Sequence, residues 1–275
     1  MARFVEILKI ILLGIVEGIT EWLPVSSTGH MIILDKFISH SMSDELFEML
    51  LVVIQLGAVL AVPIFFRDKI LSIERTTRGA RISPLTLRLW GRVLLATLPA
   101  ALLGLLLDDF LTEHLFNPTT VAIALVLYGA AFILLEHFRG GKASRVEYTE
   151  DISARDAFAV GLAQTLSLIP GTSRSGATIF GGMLLGLSRS AAAELSFLMA
   201  IPVMLGASLL KILKFFGGGL TLSAYEALLI LVGALAAFLV SLFCIRFLMR
   251  FVKEHSFTVF GIYRIILGLV ILGIA

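Results

Sequence analysis

Residues 17–30 read EGITEWLPVSSTGH and interrupt a stretch that is otherwise apolar from residue 4 to residue 36. Pro24 has no backbone N–H and breaks a helix. Irregular backbone at membrane depth is tolerated only where it is buried in protein or lines a watery cavity. The stretch therefore predicts a re-entrant hairpin, in which two helices joined by a polar loop enter the membrane and return.

The composition places this hairpin in a lipid bilayer. Of 275 residues, 58% are hydrophobic and 15% are charged, and the mean hydropathy is +1.00, far above that of a soluble domain. The formal net charge of +2 comes with no basic stripe, so we expect no nucleic-acid partner. Membrane lipids are the expected surroundings.

Six apolar runs are long enough to cross about 30 Å of hydrocarbon. They cover residues 47–66, 90–107, 118–138, 190–210, 224–245 and 257–275. A second apolar stretch with a broken centre, residues 155–188, predicts a second re-entrant hairpin. The predicted fold class is an all-α polytopic membrane protein with six transmembrane helices and two re-entrant helix-turn-helix hairpins. An alternative count makes residues 4–20 and 155–170 full spans.

Basic residues predict the orientation, because they concentrate in cytoplasmic connections. Connections 67–92, 139–155 and 246–255 hold fourteen, whereas 36–46, 108–117 and 211–223 hold three. The first set is therefore predicted to be cytoplasmic. With six spans and two hairpins, both termini are predicted to be periplasmic and the first hairpin to enter from the periplasmic side.

The two halves of the chain resemble each other at an offset of 147 residues. The offset aligns Gly14 with Gly161, Ser26 with Ser173, and Gly29 with Gly176. One hairpin and three spans per half give an odd number of membrane crossings, so the halves are predicted to be inverted repeats. The repeats cover about residues 1–140 and 150–275. Together they form a single predicted integral-membrane domain, residues 1–275. Chance similarity between apolar sequences is the alternative.

The first polar loop carries two carboxylates. Glu17 and Glu21 are four residues apart and share one helix face. Each carboxylate costs about 2.5–3.5 kcal/mol inside a membrane, so the pair predicts a bound cation, a shared proton or an aqueous cleft. The alternative is a watery vestibule without chemistry. Hydroxyls and an imidazole follow at Ser26, Ser27, Thr28 and His30.

The second polar loop, residues 170–178, reads PGTSRSGAT. Helix-start amides, hydroxyls and the Arg174 guanidinium predict a phosphate site, and a structural ion pair with Glu17 or Glu21 is the alternative. The candidate phosphate-binding side chains are those of Ser173, Arg174, Ser175 and Thr178. The residues themselves allow phosphoanhydride hydrolysis and anion transport equally.

Three polar residues within the spans carry weaker signals. Arg264 is predicted to snorkel toward the cytoplasmic end of the last span. Gln55 and Ser208 are predicted to form hydrogen bonds between helices.

Both loops closely resemble the two signature motifs of the bacterial undecaprenyl-diphosphate phosphatase family of the bacitracin-resistance type. Residues 17–30 and 170–178 match without a gap, and the resemblance extends over essentially the whole chain. It implies removal of the terminal phosphate of undecaprenyl diphosphate or another prenyl diphosphate in the bacterial inner membrane, which recycles the lipid carrier for cell-wall polymers. A transporter or flippase of a phosphorylated lipid or anion is the alternative.

The resemblance also implies roles for individual residues. Glu17 and Glu21 would handle protons or a divalent cation, Mg²⁺ or Ca²⁺. Ser27 would be the nucleophile with His30 as its acid/base partner, although an attack by His30 itself is left open. The implied diphosphate clamp consists of Ser26, Thr28, Ser173, Arg174, Ser175 and Thr178. The cleft is expected to open to the periplasm, and the oligomeric state is left open, with a homo-oligomer among the options.

Overall fold

The computed structural model describes residues 2–37, 42–76, 79–139 and 142–274. In these ranges the chain is almost entirely helical. The helices are α1 (Ala2–Thr20), α2 (Ser27–Phe37), α3 (Asp44–Val59), α4 (Ala61–Phe65), α5 (Arg67–Ile70), α6 (Pro84–Leu115), α7 (Pro118–Arg139), α8 (Ala154–Gln164), α9 (Arg174–Leu184), α10 (Arg189–Gly217), α11 (Ala224–Glu254) and α12 (Thr258–Ile274). Short 3₁₀ turns cover Thr149–Asp151 and Thr165–Leu168.

Two short strands add to this helical framework. Strands β1 (Ile73–Thr76) and β2 (Gly79–Ile82) pair antiparallel in the connection between α5 and α6. No regular structure was predicted for this basic connection. The pair covers four residues on each side and leaves the all-helical membrane region unchanged.

Five helical segments within the described residues are long and apolar enough to cross a membrane. They are Glu45–Phe65, Pro84–Leu107, Pro118–Arg139, Arg189–Gly217 and Ala224–Glu254. Between 28% and 50% of the apolar window of each is buried, so at least half of each window faces outward, as lipid-facing helices do. The prediction of a multi-pass membrane protein is therefore confirmed.

The sixth predicted span corresponds to a shorter helix. α12 contains 17 residues, about 26 Å at 1.5 Å per residue, which is slightly less than the hydrocarbon thickness. Its sequence is nevertheless among the most apolar in the chain. Among the described residues there are therefore five long spans and one shorter apolar helix.

Both polar loops break their helices where the sequence analysis expected. α1 ends at Thr20 and α2 begins at Ser27, while α9 begins at Arg174 after an irregular segment that follows the 3₁₀ turn. Gly171 has a φ of +91°, a conformation that glycine adopts without strain. A Cβ there would also lie 2.5 Å from the backbone oxygen of Val121.

The helices pack in pairs that involve both halves of the chain. α1 packs on α11, α8 packs on α6, and α7 packs on α12. Glycines allow the close approach: a Cβ on Gly14 would lie 2.5 Å from the Gly233 oxygen of α11, and a Cβ on Gly161 would lie 2.2 Å from the Ala96 oxygen of α6. The two loops are therefore held by helices from the opposite half.

Candidate active site at the two polar loops

An ion pair joins the two polar loops across 153 residues of sequence. Arg174 donates to Glu21 Oε1 from Nε at 3.1 Å and from Nη2 at 2.9 Å. The Ser175 hydroxyl donates to the main-chain oxygen of Glu21 at 3.0 Å. Both charged side chains are largely buried, with 11% and 7% of their area exposed. The ion pair that was the alternative to a phosphate site at Arg174 is therefore present, with Glu21 as the partner.

The two loops also share an unusual backbone conformation. Ser26 and Ser173 have φ angles of 72° and 71°, and they are the sole non-glycine residues with positive φ within the described ranges. Such a conformation is strained for a residue with a Cβ. Each hydroxyl accepts a hydrogen bond from an amide three residues later, Gly29 at 3.4 Å and Gly176 at 3.2 Å. Each serine therefore caps the helix that begins beside it.

Glu17 lies in a buried position next to this ion pair. It is 2% exposed, and its Oε1 atom has no hydrogen-bond partner. Gln55 from α3 interacts with the Glu17 carboxyl group. The interhelical contact predicted for Gln55 is therefore made at this site. Glu21 N bonds to Glu17 O at 3.0 Å, which continues the helical turn and keeps both carboxylates on one face.

The carboxylate pair can serve as part of a cation site. Within the described ranges, no group of three or more His, Cys, Asp or Glu side chains is arranged to bind a metal. A Mg²⁺ ion, however, is commonly held by one or two carboxylates together with substrate phosphates. The unpartnered oxygen of Glu17 fits this requirement, because a buried polar atom needs a partner.

Arg174 is further held by α10, which packs behind the second loop. Its Nη1 donates to the Ser196 main-chain oxygen at 2.8 Å, and its guanidinium lies 6.0 Å from the centre of the Trp22 ring. Thr178 donates to Ser196 Oγ at 2.7 Å. These contacts fix the guanidinium close to both loops.

The predicted clamp residues differ in accessibility. Ser175 and Thr178 are fully buried and bonded to protein atoms, and Ser26 is 1% exposed. Partly exposed side chains occur at Ser27, Thr28, His30, Ser173 and Arg174. The structure therefore joins the two loops through Arg174 and Ser175 and leaves the second group of residues more accessible to a ligand.

The His30 ring contacts Ser26 and Tyr263. Its Nδ1 lies 2.7 Å from the Ser26 main-chain oxygen, and its Nε2 lies 2.7 Å from the Tyr263 hydroxyl. Because a carbonyl oxygen can only accept, Nδ1 carries the proton, and neutral Nε2 accepts from Tyr263. The rings are stacked, with an interplanar angle of 9°. Tyr263 is a site neighbour that sequence reasoning missed.

Arg264 does not snorkel, contrary to the sequence prediction. It is 0% exposed and donates to Pro24 O at 3.2 Å, Gly171 O at 2.9 Å and Thr172 O at 2.8 Å. One guanidinium thus binds the main chain of both polar loops. An ionisable residue in an apolar span is functional by default, but the local sequence does not show which groups Arg264 binds.

Ser208 follows its prediction. Its hydroxyl donates to the Val52 main-chain oxygen at 3.4 Å, which joins α10 to α3. This contact confirms its interhelical role and places it outside the cluster around the loops.

Comparison with known proteins identifies the family. Residues 10–270 match the family described as bacitracin resistance protein BacA. The chain is 50% identical over 270 residues to a protein of Enterococcus faecalis, with 98% of this chain and 97% of that protein covered. It is also 50% identical over 270 residues to a Streptococcus mutans protein, covering 98% and 96%, and 50% identical over 266 residues to an Acetivibrio thermocellus protein, covering 97% and 96%. All three relatives carry the name undecaprenyl-diphosphatase. The chain therefore belongs to the bacitracin resistance protein BacA family.

Proposed function

We propose that this protein is an undecaprenyl-diphosphate phosphatase, which hydrolyses undecaprenyl diphosphate to undecaprenyl phosphate and inorganic phosphate. The observation that carries the proposal is the Arg174–Glu21 pair, which joins both polar loops in a chain half identical to enzymes of that name. The reaction recycles the lipid carrier for peptidoglycan and other cell-wall polymers. Bacitracin resistance follows from the family.

Arg174 holds the phosphate oxygens in this proposal. A guanidinium presents a planar set of donors that matches phosphate, and Arg174 is pre-positioned by Glu21 and Ser196. The first-turn amides of α9 add donors and a favourable dipole. Charge that develops on the oxygens in the transition state is stabilised by the same groups. The buried hydroxyls of Ser175 and Thr178 act by holding the second loop in place.

Ser27 Oγ attacks the terminal phosphorus while His30 takes its proton, and the bond from that phosphorus to the bridging oxygen breaks, so that the lipid monophosphate leaves with the proton from His30. Water, deprotonated by His30, then attacks the phosphoserine, which releases inorganic phosphate and restores the Ser27 hydroxyl. The partly exposed Ser27 lies at the first residue of α2, and His30 lies one turn later. Before substrate binds, His30 Nε2 accepts from Tyr263, so the imidazole must exchange this partner to serve as the base. Direct attack by His30 remains the alternative assignment of the nucleophile.

Glu17 and Glu21 would hold a divalent cation, Mg²⁺ or Ca²⁺. The unpartnered, buried Glu17 oxygen supports this assignment, since two carboxylates and substrate oxygens suffice for Mg²⁺. When bound, the cation neutralises charge on the transferred phosphoryl group.

The architecture proposed for this site is one domain, residues 1–275, built of two inverted repeats with six spans and two re-entrant hairpins. Residues matched by the 147-residue offset have equivalent surroundings: Gly14 packs on α11 as Gly161 packs on α6, and Ser26 and Ser173 share one backbone conformation. Since every site residue comes from one chain, a homo-oligomer is not needed for the chemistry.

The orientation follows from the basic connections. Both termini face the periplasm, and the cleft opens to the periplasm of a bacterial inner membrane. Labelling Ser27→Cys in a Cys244→Ser background tests this with a membrane-impermeant thiol reagent. We expect modification from the periplasmic side, and modification from the cytoplasmic side alone would contradict the orientation.

Phosphate release from a prenyl diphosphate by the purified protein tests the function. Wild type is compared with Ser27→Ala, Glu21→Gln and Arg174→Ala, with and without Mg²⁺ or Ca²⁺. The exposed Glu113→Gln and Arg246→Ala variants are matched controls that remove the same charges away from the site. We expect turnover by wild type and the controls and at least a roughly hundredfold loss in the site variants, as for other charge-stabilising groups.

The transporter alternative predicts a different result. If wild type binds the lipid through Arg174 but releases no phosphate under any metal condition, hydrolysis is ruled out and a lipid or anion carrier takes its place. Retained activity in all three folded site variants would refute the site while leaving the reaction intact.

A further inference from the structure

A second polar cavity lies apart from the two loops. It has a volume of about 580 Å³ and is lined by the ends of α7, α9 and α11, the start of α10 and residues 142–149. α9 connects the two regions, with Arg174 at its first residue and Met183 lining the cavity. Nine residues of helix separate them by about 14 Å. The cavity is therefore distinct from the site described above.

The cavity is strongly cationic. Its charged lining residues are Lys69, Arg139, Lys142, Arg189, Lys253, Glu147 and Glu194. Five cationic side chains therefore stand against two carboxylates. The charge that is available to a ligand depends on which of these groups are already paired.

Two of the five cations are neutralised by carboxylates. Lys69 donates to Glu150 at 2.7 Å and to Glu194 at 2.6 Å. Arg189 binds both oxygens of Glu136, at 2.8 Å and 2.5 Å. These pairs hold the walls of the cavity. The Arg189–Glu136 pair is neutral, whereas Lys69 faces two carboxylates, so its group carries a net charge of −1.

The other three cations are not neutralised. Arg139 donates to neutral partners, the main-chain oxygens of Met183 at 2.7 Å and Leu187 at 2.8 Å. Across the described ranges, neither Lys142 nor Lys253 forms an ion pair, whereas both line the cavity. Against these three cations stand the Glu147 carboxylate and the extra carboxylate of the Lys69 group, so one net positive charge remains. A net positive charge thus lines one partly open cavity.

Neutral donors complete the lining. α10 begins at Arg189 and continues for 29 residues, so its first-turn amides and its dipole favour an anion there. The hydroxyl residues Ser144 and Ser190 also line the cavity. A phosphate group, with about −1.5 to −2 charges and three acceptor oxygens, matches this combination of cations and donors.

We propose that this cavity is a second anion site that binds a phosphate group, either inorganic phosphate or the phosphate of an anionic lipid headgroup. If the polar loops lie near the membrane centre, 14 Å corresponds to about half the hydrocarbon thickness. The cavity then lies at the membrane surface, where basic pockets between helices bind lipid phosphates. The site is independent of the hydrolytic reaction and does not require it.

Lysine footprinting of the purified full-length protein tests the proposal. Acylation of Lys142 and Lys253 by an amine-reactive ester is followed by mass spectrometry, with Lys211 as the internal reference. The probes are inorganic phosphate, dioctanoyl phosphatidic acid and dioctanoyl phosphatidylcholine. At a probe concentration ten times its dissociation constant, about a tenth of the sites stay empty. Both lysines should therefore be acylated up to roughly tenfold more slowly than without the probe.

The probes separate the two sources of phosphate. Protection by inorganic phosphate and phosphatidic acid indicates a site for the free anion, and protection by phosphatidic acid alone indicates a lipid headgroup. Either result supports the proposal. It is overturned if neither probe protects the lysines, or if phosphatidylcholine protects them as well as phosphatidic acid does.

A variant measurement adds a second readout. The probe that protects the lysines should raise the thermal midpoint of wild type. It should leave the midpoint of the double variant Lys142→Gln/Lys253→Gln unchanged. Arg246→Gln/Arg250→Gln, which removes two exposed charges from α11 outside the cavity, should keep it. A full rise in the lysine variant would locate binding elsewhere and refute the proposal.

Discussion

Arg264→Met removes the one guanidinium that binds the main chain of both polar loops. The side chain is fully buried and donates to Pro24 O, Gly171 O and Thr172 O at 2.8–3.2 Å. Methionine fills a similar length of apolar space but donates no hydrogen bond. The substitution therefore leaves three buried carbonyl oxygens without this donor.

The expected magnitude follows from these three oxygens. A buried acceptor that loses its partner costs about 1–3 kcal/mol, so the three together cost about 3–9 kcal/mol. Removal of a buried charge offsets part of this loss, and we expect a net value near the lower end, about 3 kcal/mol. If this energy is needed to hold the loops for reaction, kcat falls by roughly a hundredfold, at 1.36 kcal/mol per factor of ten.

Phosphate release and the thermal midpoint of the detergent-purified variant measure the two effects separately. We expect kcat to fall more than KM rises, because Arg174 still binds the phosphate while the loops lose their alignment. Arg264→Lys should rescue little, since one ammonium cannot reproduce the planar fork. Arg246→Met, which removes an exposed arginine from α11, should match wild type. A kcat within threefold of wild type in Arg264→Met at an unchanged thermal midpoint would refute the reasoning.

Three further predictions concern other parts of the structure. Tyr263→Phe removes the hydroxyl that occupies His30 Nε2 and must be displaced before His30 can act as the base, so kcat should rise by roughly threefold to tenfold with KM and thermal midpoint unchanged; a fall in kcat would contradict this reasoning. Gly57→Leu should destabilise the protein by about 1–3 kcal/mol in thermal unfolding, since a Cβ would lie 2.3 Å from a backbone oxygen of α11; a wild-type midpoint would contradict the close packing. Burial disfavours the charged form of Glu150, but the hydrogen bond from Lys69 outweighs burial and lowers the pKa of Glu150 below its ordinary 4.5. This partly exposed pair therefore contributes its full stability above pH 4.5 and loses it as the pH falls through the lowered pKa. Glu150→Gln should reduce the loss of stability on acidification, measured by thermal unfolding, by under about 1 kcal/mol. Parallel curves of stability against pH for wild type and variant would exclude the pair as the cause of that loss.

The helix breaks could be predicted because they depend on local chemistry. Pro24 cannot continue a helix, and Gly171 supplies the positive φ that the second loop requires. The membrane character likewise follows from the length of the apolar runs, each of which is a property of consecutive residues. The contact between the loops could be anticipated only through the resemblance of the two motifs and the pairing of opposite charges.

The role of Arg264 could not be predicted from its local sequence. An arginine six residues into an apolar helix can reach the membrane surface or bind inside the protein, and only the position of the neighbouring loops decides between these outcomes. The same holds for Tyr263, an ordinary aromatic residue in a span until the fold brings it to His30. The short strands β1 and β2 also lacked a clear signal in the basic connection around them.

By itself, the sequence determined which segments are apolar enough for the membrane, where the two polar loops interrupt them, and which residues those loops carry. The tertiary structure alone decided that Arg174 reaches Glu21 across 153 positions and that Arg264 bonds to Pro24 across 240. The reason is physical. Hydrophobicity and backbone preference act between neighbouring residues, whereas the burial of a charge is stable only when partners from distant helices arrive to satisfy it.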